Sequence, residues 1–245
     1  MNPILPADLA SQVIWDQEAA QSKFDLAWAK DKAARFKPLA LRAPDGAPDG
    51  RYRVFGRVSF PNMFKPTKME TSQGYPTWNT TLVLIPGSDL SALTSAVDAA
   101  IAEHPKWKAG RPGHWKTPFR AQSEKSYSGY QKGGVFLNVG ANSVVKDRKT
   151  SVERPGVPPR IVDVRDQPIT DHTQIYPGCW GFVIGRVYPF DVPGNCGVRL
   201  GFDAFIKVYD DTPLAGRGEV KTDYALQGLG NLSDEVQTEY ADLYN

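Results

Sequence analysis

Histidine and cysteine are scarce in this chain of 245 residues, which holds three of the first and two of the second. His104, His114 and His172, taken with Cys179 and Cys196, form no zinc-like spacing, so no metal is expected. The two cysteines flank an expected strand, and in a reducing compartment they read as buried thiols rather than a disulfide. No apolar run approaches the roughly 18 residues that a membrane span requires. The first residues, Met1 to Asp8, lack a basic stretch followed by an apolar one, so a cytoplasmic location without membrane contact is expected. The chain also lacks a P-loop, a G-x-S-x-G elbow and an H-E-x-x-H pair. What remains for catalysis is Asp203, Asp210 and Asp211, an acid grouping that a metal-dependent nuclease would need. Asp210-Asp211-Thr212-Pro213 reads more naturally as a turn that ends a strand. Neither a catalytic residue nor a cofactor is expected.

What the chain does have is turn-forming residues, 22 glycines and 20 prolines, beside 41% hydrophobic residues. That combination suits short strands around a sizeable core better than a helical bundle. The formal net charge of +2 hides an asymmetry. Residues 233–245 hold Asp234, Glu235, Glu239 and Asp242 and no base, which leaves 29 basic against 23 acidic residues, or +6, over residues 1–232. A basic body with an acidic end points to an anionic partner and a built-in competitor for it.

Apolar spacing predicts a helix over residues 11–36, ended by Pro38. Two breakers between Ala43 and Gly50 separate it from the main domain. From Arg51 the period becomes two, with Tyr52, Val54 and Val58 on one face and Arg51, Arg53, Phe55 and Arg57 on the other. A second strand is expected over Thr77 to Ile85. A helix should follow from Asp89 to about Glu103, with Ser88 as its cap. Further strands are expected at Val135 to Val139, Arg160 to Val164, Trp180 to Phe190 and Gly197 to Tyr209, with a hairpin turn at Pro193-Gly194-Asn195. The fold class is mainly β with some α, a partly open barrel with one central helix. The domain reading is an N-terminal helical arm over 1–50, a main domain over 51–218 and a mobile acidic tail over 219–245.

Binding unpaired nucleic acid calls for cations near phosphates and flat rings for bases. The loop between Trp107 and Lys132 interleaves the two. Alternation in the last strand puts Arg199, Phe205 and Lys207 on one parity. The phosphate candidates are Arg57, Lys65, Lys116, Arg120, Lys132, Arg199 and Lys207. The stacking candidates are Phe60, Phe64, Trp115, Tyr127, Tyr130, Tyr188 and Phe205. Solvated strand faces and loop anchors explain the same side chains without a ligand. A virion or assembly protein built as a β-sandwich also remains open.

Several segments decide further. They are Gly56-Arg57-Val58-Ser59-Phe60-Pro61-Asn62-Met63-Phe64-Lys65-Pro66, Leu82 to Asp89, Thr117-Pro118-Phe119-Arg120, Tyr127-Ser128-Gly129-Tyr130 with Phe136-Leu137-Asn138, Ile175 to Gly181, Asn195 to Val198 and Pro213 to Arg217. In this order they resemble a family of phage single-stranded DNA-binding proteins, over about Arg51 to Arg217. The resemblance implies an OB-fold that coats single strands during phage replication, recombination or repair. It also implies that the acidic tail, with Asp234, Glu235, Glu239 and Asp242, regulates DNA access or recruits replication proteins; self-association along DNA is a further expected partnership. Two features depart from the family pattern: the long arm before Arg51, and a helix after the second strand instead of the third.

Overall fold

The computed structural model describes residues 25–42, 48–68, 74–107, 110, 112–147, 150–192 and 194–214. The acidic tail with its four acids, the linker residues 43–47 and the first half of the expected N-terminal helix lie outside the described residues.

Eleven strands and two α-helices follow in the described residues: α1 (Leu26–Arg35), β1 (Leu39–Arg42), β2 (Pro48–Thr67), β3 (Thr77–Val83), α2 (Ser91–Glu103), β4 (Phe119–Ala121), β5 (Val135–Asn142), β6 (Val144–Lys146), β7 (Glu153–Pro155), β8 (Arg160–Val162), β9 (Trp180–Val192), β10 (Asn195–Leu200) and β11 (Ala204–Tyr209). The chain from β2 to β10 closes into a ring. β2 pairs with β3, β3 with β5, β5 with β10, β10 with β9, and β9 returns to β2. Every one of these pairings is antiparallel except β5–β10, which runs parallel through Leu200 and Val139. That order, first–second–third–fifth–fourth–first with one parallel closure, has OB-like connectivity. The closure is narrow, and β11 with β8 extends the sheet from β9 beyond the ring. The helix does follow the second ring strand. The segment between the third and fourth ring strands carries the small β6–β7 hairpin instead.

Alternation fills the ring. Tyr52, Val54, Val58, Leu82, Leu137, Val139, Val183 and Leu200 point inward and form the main core. α2 closes one end with Leu93, and its Val97 and Ile101 pack with Trp107, Cys196 and Val198. Asp89, not Ser88, holds the start of this helix: its carboxylate accepts the Ser91 N–H at 3.0 Å, while the Ser88 hydroxyl donates to the Ile85 carbonyl. Both cysteines are free and buried. Burial pushes the Cys179 thiol up to about 11.

A second core lies outside the ring, and it overturns one expectation. Phe55, Trp180, Phe182, Ile206 and Tyr209 form an apolar layer covered by α1. Trp28 meets Trp180 and Tyr209 edge-on at 5.7 and 5.0 Å, and Phe36 meets Phe55 and Phe182 at 5.0 and 5.3 Å. Val54 to Ser59 of β2 are therefore buried on both faces. Asp25 caps α1 by accepting from the backbone N–H groups of Ala27 and Trp28. The arm, where described, is part of the body.

Candidate nucleic-acid interface

Three of the expected DNA ligands are structural. Arg57 is buried with its Nε donating to the Gly178 carbonyl at 3.1 Å, its Nη2 donating to the Thr212 carbonyl, and Asp211 at 3.6 Å. Burial lowers its pKa, and the Asp211 charge opposes that shift. A guanidinium consumed in this way cannot reach a phosphate. Phe205 is 0% exposed and belongs to the main core. Parity did not carry from Arg199 to Phe205, because the strand expected over Gly197 to Tyr209 breaks at 201–203 into β10 and β11. Lys207 is largely covered, 2.7 Å from Asp210, with its Nζ over the Tyr176 ring. Trp115 is half-buried against the cluster under α2, and the Lys116 backbone pairs with β10 through Cys196 and Val198. Trp115 thus anchors its loop.

Phe60, Tyr127 and Tyr130 come together elsewhere, beside the β2–β3 hairpin. A one-residue bulge between Ser59 and Asn62 interrupts the β2–β3 register, and Phe60 occupies it with φ 52°. The bulge lets the second half of β2 leave β9 and continue with β3, and it turns the Phe60 ring outward to 50% exposure. Beyond the bulge, the outward parity of β3 and β5 is polar. Thr77, Asn79 and Thr81 stand opposite Asn142, Gly140 and Asn138. The Thr81 hydroxyl donates to Asn138 Oδ1 at 2.8 Å, and Asn62 donates to Asn79 Oδ1 at 3.1 Å. Asn62, Thr77, Asn79, Thr81 and Asn138 floor a groove of about 480 Å³, whose walls include Phe60, Thr67, Lys68 and Tyr75.

Rings and cations flank the floor. Phe60 meets Tyr127 edge-on at 5.2 Å, Tyr127 meets Tyr130 at 5.4 Å, and Tyr130 leans on Phe136 at 5.6 Å. Lys125 lies over the Tyr127 ring and Arg120 over the Phe136 ring. Arg120 is also ion-paired to Glu124, whose carboxyl is held below its ordinary range chiefly by that bond. Burial raises the Tyr130 hydroxyl, and a bond to Ser59 partly offsets it.

The loop presenting Tyr127 and Tyr130 is pinned by one buried side chain. The Gln122 amide donates to the carbonyls of Leu84 and Val135 and accepts from the Gln131 N–H. Gly134 leaves room for it, since a Cβ there would stand 2.5 Å from Gln122 Nε2. On the opposite flank, Arg199 of β10 lies across Gly140 and donates to Asn142 Oδ1 at 3.0 Å. Tyr188, its register partner on β9, is 48% exposed. Phe64, Lys65 and Lys132 are exposed.

Reasoning from the sequence missed Asn62, Tyr75, Asn79, Asn138 and Asn142. The alternation Thr77-x-Asn79-x-Thr81 held the signal, a strand that turns polar groups outward in a region read only for cations and rings.

The three acids of the nuclease reading are dispersed. Asp203 pairs with Arg51, Asp210 with Lys207, and Asp211 accepts from the Trp180 indole at 2.7 Å. Among the described residues, no three His, Cys, Asp or Glu side chains converge as a metal site would need. Also among the described residues, no helix is long and apolar enough to cross a membrane.

The outer face of the second and third ring strands, with the loop joining the first and second, is where OB barrels take up oligonucleotides and oligosaccharides. Here that face is β3–β5 with the β2–β3 hairpin. The single-stranded DNA-binding protein of bacteriophage Enc34 in complex with single-stranded DNA shares the fold at TM-score 0.53 and 16% identity, over 67% of this chain and 89% of that one. A further structure of the Enc34 protein matches at TM-score 0.54 and 16% identity, over 77% and 98%. A structure of gp2.5, a single-stranded DNA-binding protein encoded by bacteriophage T7, is more distant at TM-score 0.45 and 16% identity, over 70% and 96%. No curated protein matches the sequence. The family model described as the single-stranded DNA-binding protein of Enterobacter phage Enc34 matches residues 54–237. The chain belongs to this family of phage single-stranded DNA-binding proteins.

Proposed function

We propose that the chain binds single-stranded DNA without regard to sequence along the β3–β5 face, and that it does so without catalysis, in the cytoplasm of an infected host, during phage replication, recombination or repair. The observation that carries this reading is the open groove, floored by Asn and Thr side chains and flanked by the Phe60–Tyr127–Tyr130 rings, on the face that OB barrels use. Asn and Thr side chains accept any base edge. Stacking discriminates little between bases, because every base has a π-face. Lys65, Lys68, Lys116, Arg120, Lys132 and Arg199 supply cations around this surface.

The acids Asp234, Glu235, Glu239 and Asp242 then regulate access to the groove or recruit replication proteins, and copies associate along the strand. Removing residues 233–245 is expected to raise affinity for weak ligands such as duplex DNA, or to abolish partner binding; no change in either sinks the tail reading. For the body, tryptophan fluorescence titrated with poly-dT at two salt concentrations is expected to show saturable binding that weakens steeply with salt. Equal affinity for duplex would count against the groove. Cleavage of labelled oligonucleotide with magnesium would overturn the non-catalytic reading.

A further inference from the structure

The segment that replaces a helix between the third and fourth ring strands reaches back to the groove. Its hairpin pairs Lys146 of β6 with Glu153 of β7. The foot of the hairpin is Ser143, whose carbonyl accepts from the Gly156 N–H at 2.8 Å and whose N–H donates to the Pro76 carbonyl at 2.9 Å. The next residue back along the chain is Tyr75, a groove wall that is 40% exposed. Its hydroxyl donates to Glu153 Oε1 across 78 positions of sequence. We propose that Glu153 is a positioning residue, a latch on β7 that holds the Tyr75 ring at the groove wall so that a base stacks on it. This rests on the reading of the groove as the DNA site.

The latch answers two otherwise awkward facts. Tyr75 closes a hairpin loop on the sheet's exterior, and an unheld ring there would have to be ordered by the ligand, at a cost in affinity. Glu153 is a carboxylate beside a surface meant for phosphates, where charge alone would disfavour it. Its bond to Tyr75 gives that carboxylate a use, and the bond raises the Tyr75 hydroxyl above its ordinary pKa.

The sign of one substitution separates the latch from plain electrostatics. If Glu153 merely repels phosphates, both Glu153→Ala and Glu153→Gln tighten DNA binding. If it is a latch, Glu153→Ala weakens binding about 2- to 10-fold, the range of one net hydrogen bond. Glu153→Gln, whose amide oxygen still accepts from the hydroxyl, binds at least as tightly as the parent. Tyr75→Phe keeps the ring and loses the donor, so it should match Glu153→Ala, and the double variant should lose no more than either alone. Tyr75→Ala should lose about 5-fold or more, as expected for a stacked base. Affinities are read by fluorescence titration with poly-dT on the full chain, and ultraviolet titration reads whether Tyr75 ionises earlier in Glu153→Ala. Parent-like binding by Tyr75→Phe, tighter binding by Glu153→Ala, or additive losses would each overturn the latch. Failure of the parent chain to bind poly-dT would instead overturn the groove reading.

Discussion

Arg57 and Asp211 form an interior ion pair, with 3.6 Å between Nη2 and Oδ2 and each side chain 5% exposed. Asp211 also accepts from the Trp180 indole and the Thr212 N–H, so its charge is shared among three donors. Removing Arg57 leaves that carboxylate buried without its cation, which typically costs about 3–5 kcal/mol. Arg57→Ala should therefore lower the thermal midpoint by roughly 10 °C in a chain of this size. In the fraction that stays folded, the salt dependence of DNA binding should match the parent. A shallower salt slope for this variant would return Arg57 to the phosphate path.

Phe60 combines a left-handed backbone with an exposed ring, a pairing that costs stability and is kept where a site needs it. Replacing it separates the two effects. Phe60→Ala and Phe60→Gly should lose the same affinity for poly-dT, about 1–3 kcal/mol for one stacked base. Phe60→Gly should be the more stable of the two by about 1 kcal/mol, because only glycine occupies that conformation freely. Urea denaturation compares the stabilities. Because Phe60 touches Tyr127, losses from Phe60→Ala and Tyr127→Ala should fall short of additive.

Where the sequence was legible, one surface of an element met water and the other met the core. β3 and β5 form where strands are expected, α2 follows its apolar stripe, and β9 and β10 pair as a hairpin, although Pro193 of the expected turn lies outside the described residues. Parity failed where both faces are buried. Arg57 and Phe55 share a side of β2 that would face solvent if α1 did not cover Phe55 and the segments at Gly178 and Thr212 did not close over Arg57, and nothing in the β2 pattern announces these covers from other parts of the chain. Phe205 was misplaced because the break at 201–203 resets the parity within one apolar stretch. The groove floor was missed for a chemical reason: asparagine and threonine carry no charge and no ring. Only the register that sets Thr81 against Asn138 shows them to be one surface.

Alkaline pH should unfold the protein sooner than acid-sensitive groups would suggest. The Cys179 thiol is raised from 9.0 to about 11 by burial, and Tyr52 and Tyr176 are raised by burial as well. A group with a raised folded pKa loses its proton first in the unfolded chain. Its contribution to stability is intact below about pH 9 and is lost as pH rises towards 11, up to about 3 kcal/mol for the thiol. The urea midpoint should fall between pH 8.5 and 10.5, and less so in Cys179→Ala. At pH 8 the folded chain should react with a thiol reagent at Cys179 only after denaturant is added. Rapid labelling of Cys179 in the folded chain would contradict both statements.

Arg199 and Lys207 looked equivalent by parity, yet the fold gives them opposite prospects. Arg199 lies on β10 against Gly140, with its guanidinium donating to Asn142, the register partner of Thr77 in the groove floor. Lys207 stands on β11, outside the ring, and spends its charge on Asp210 at 2.7 Å. A cation that neutralises a phosphate of a single strand contributes about 0.7 unit to the slope of log affinity against log salt. Arg199→Ala should therefore lose about 0.7 unit of slope and weaken binding to every sequence alike, whereas Lys207→Ala should leave the slope unchanged. The control is Arg199→Lys, which keeps the charge but not the reach to Asn142, and it should restore most of the slope. If Lys207→Ala loses that slope and Arg199→Ala does not, the strand crosses the β9–β11 side of the barrel, and the groove over β3 and β5 is not its path.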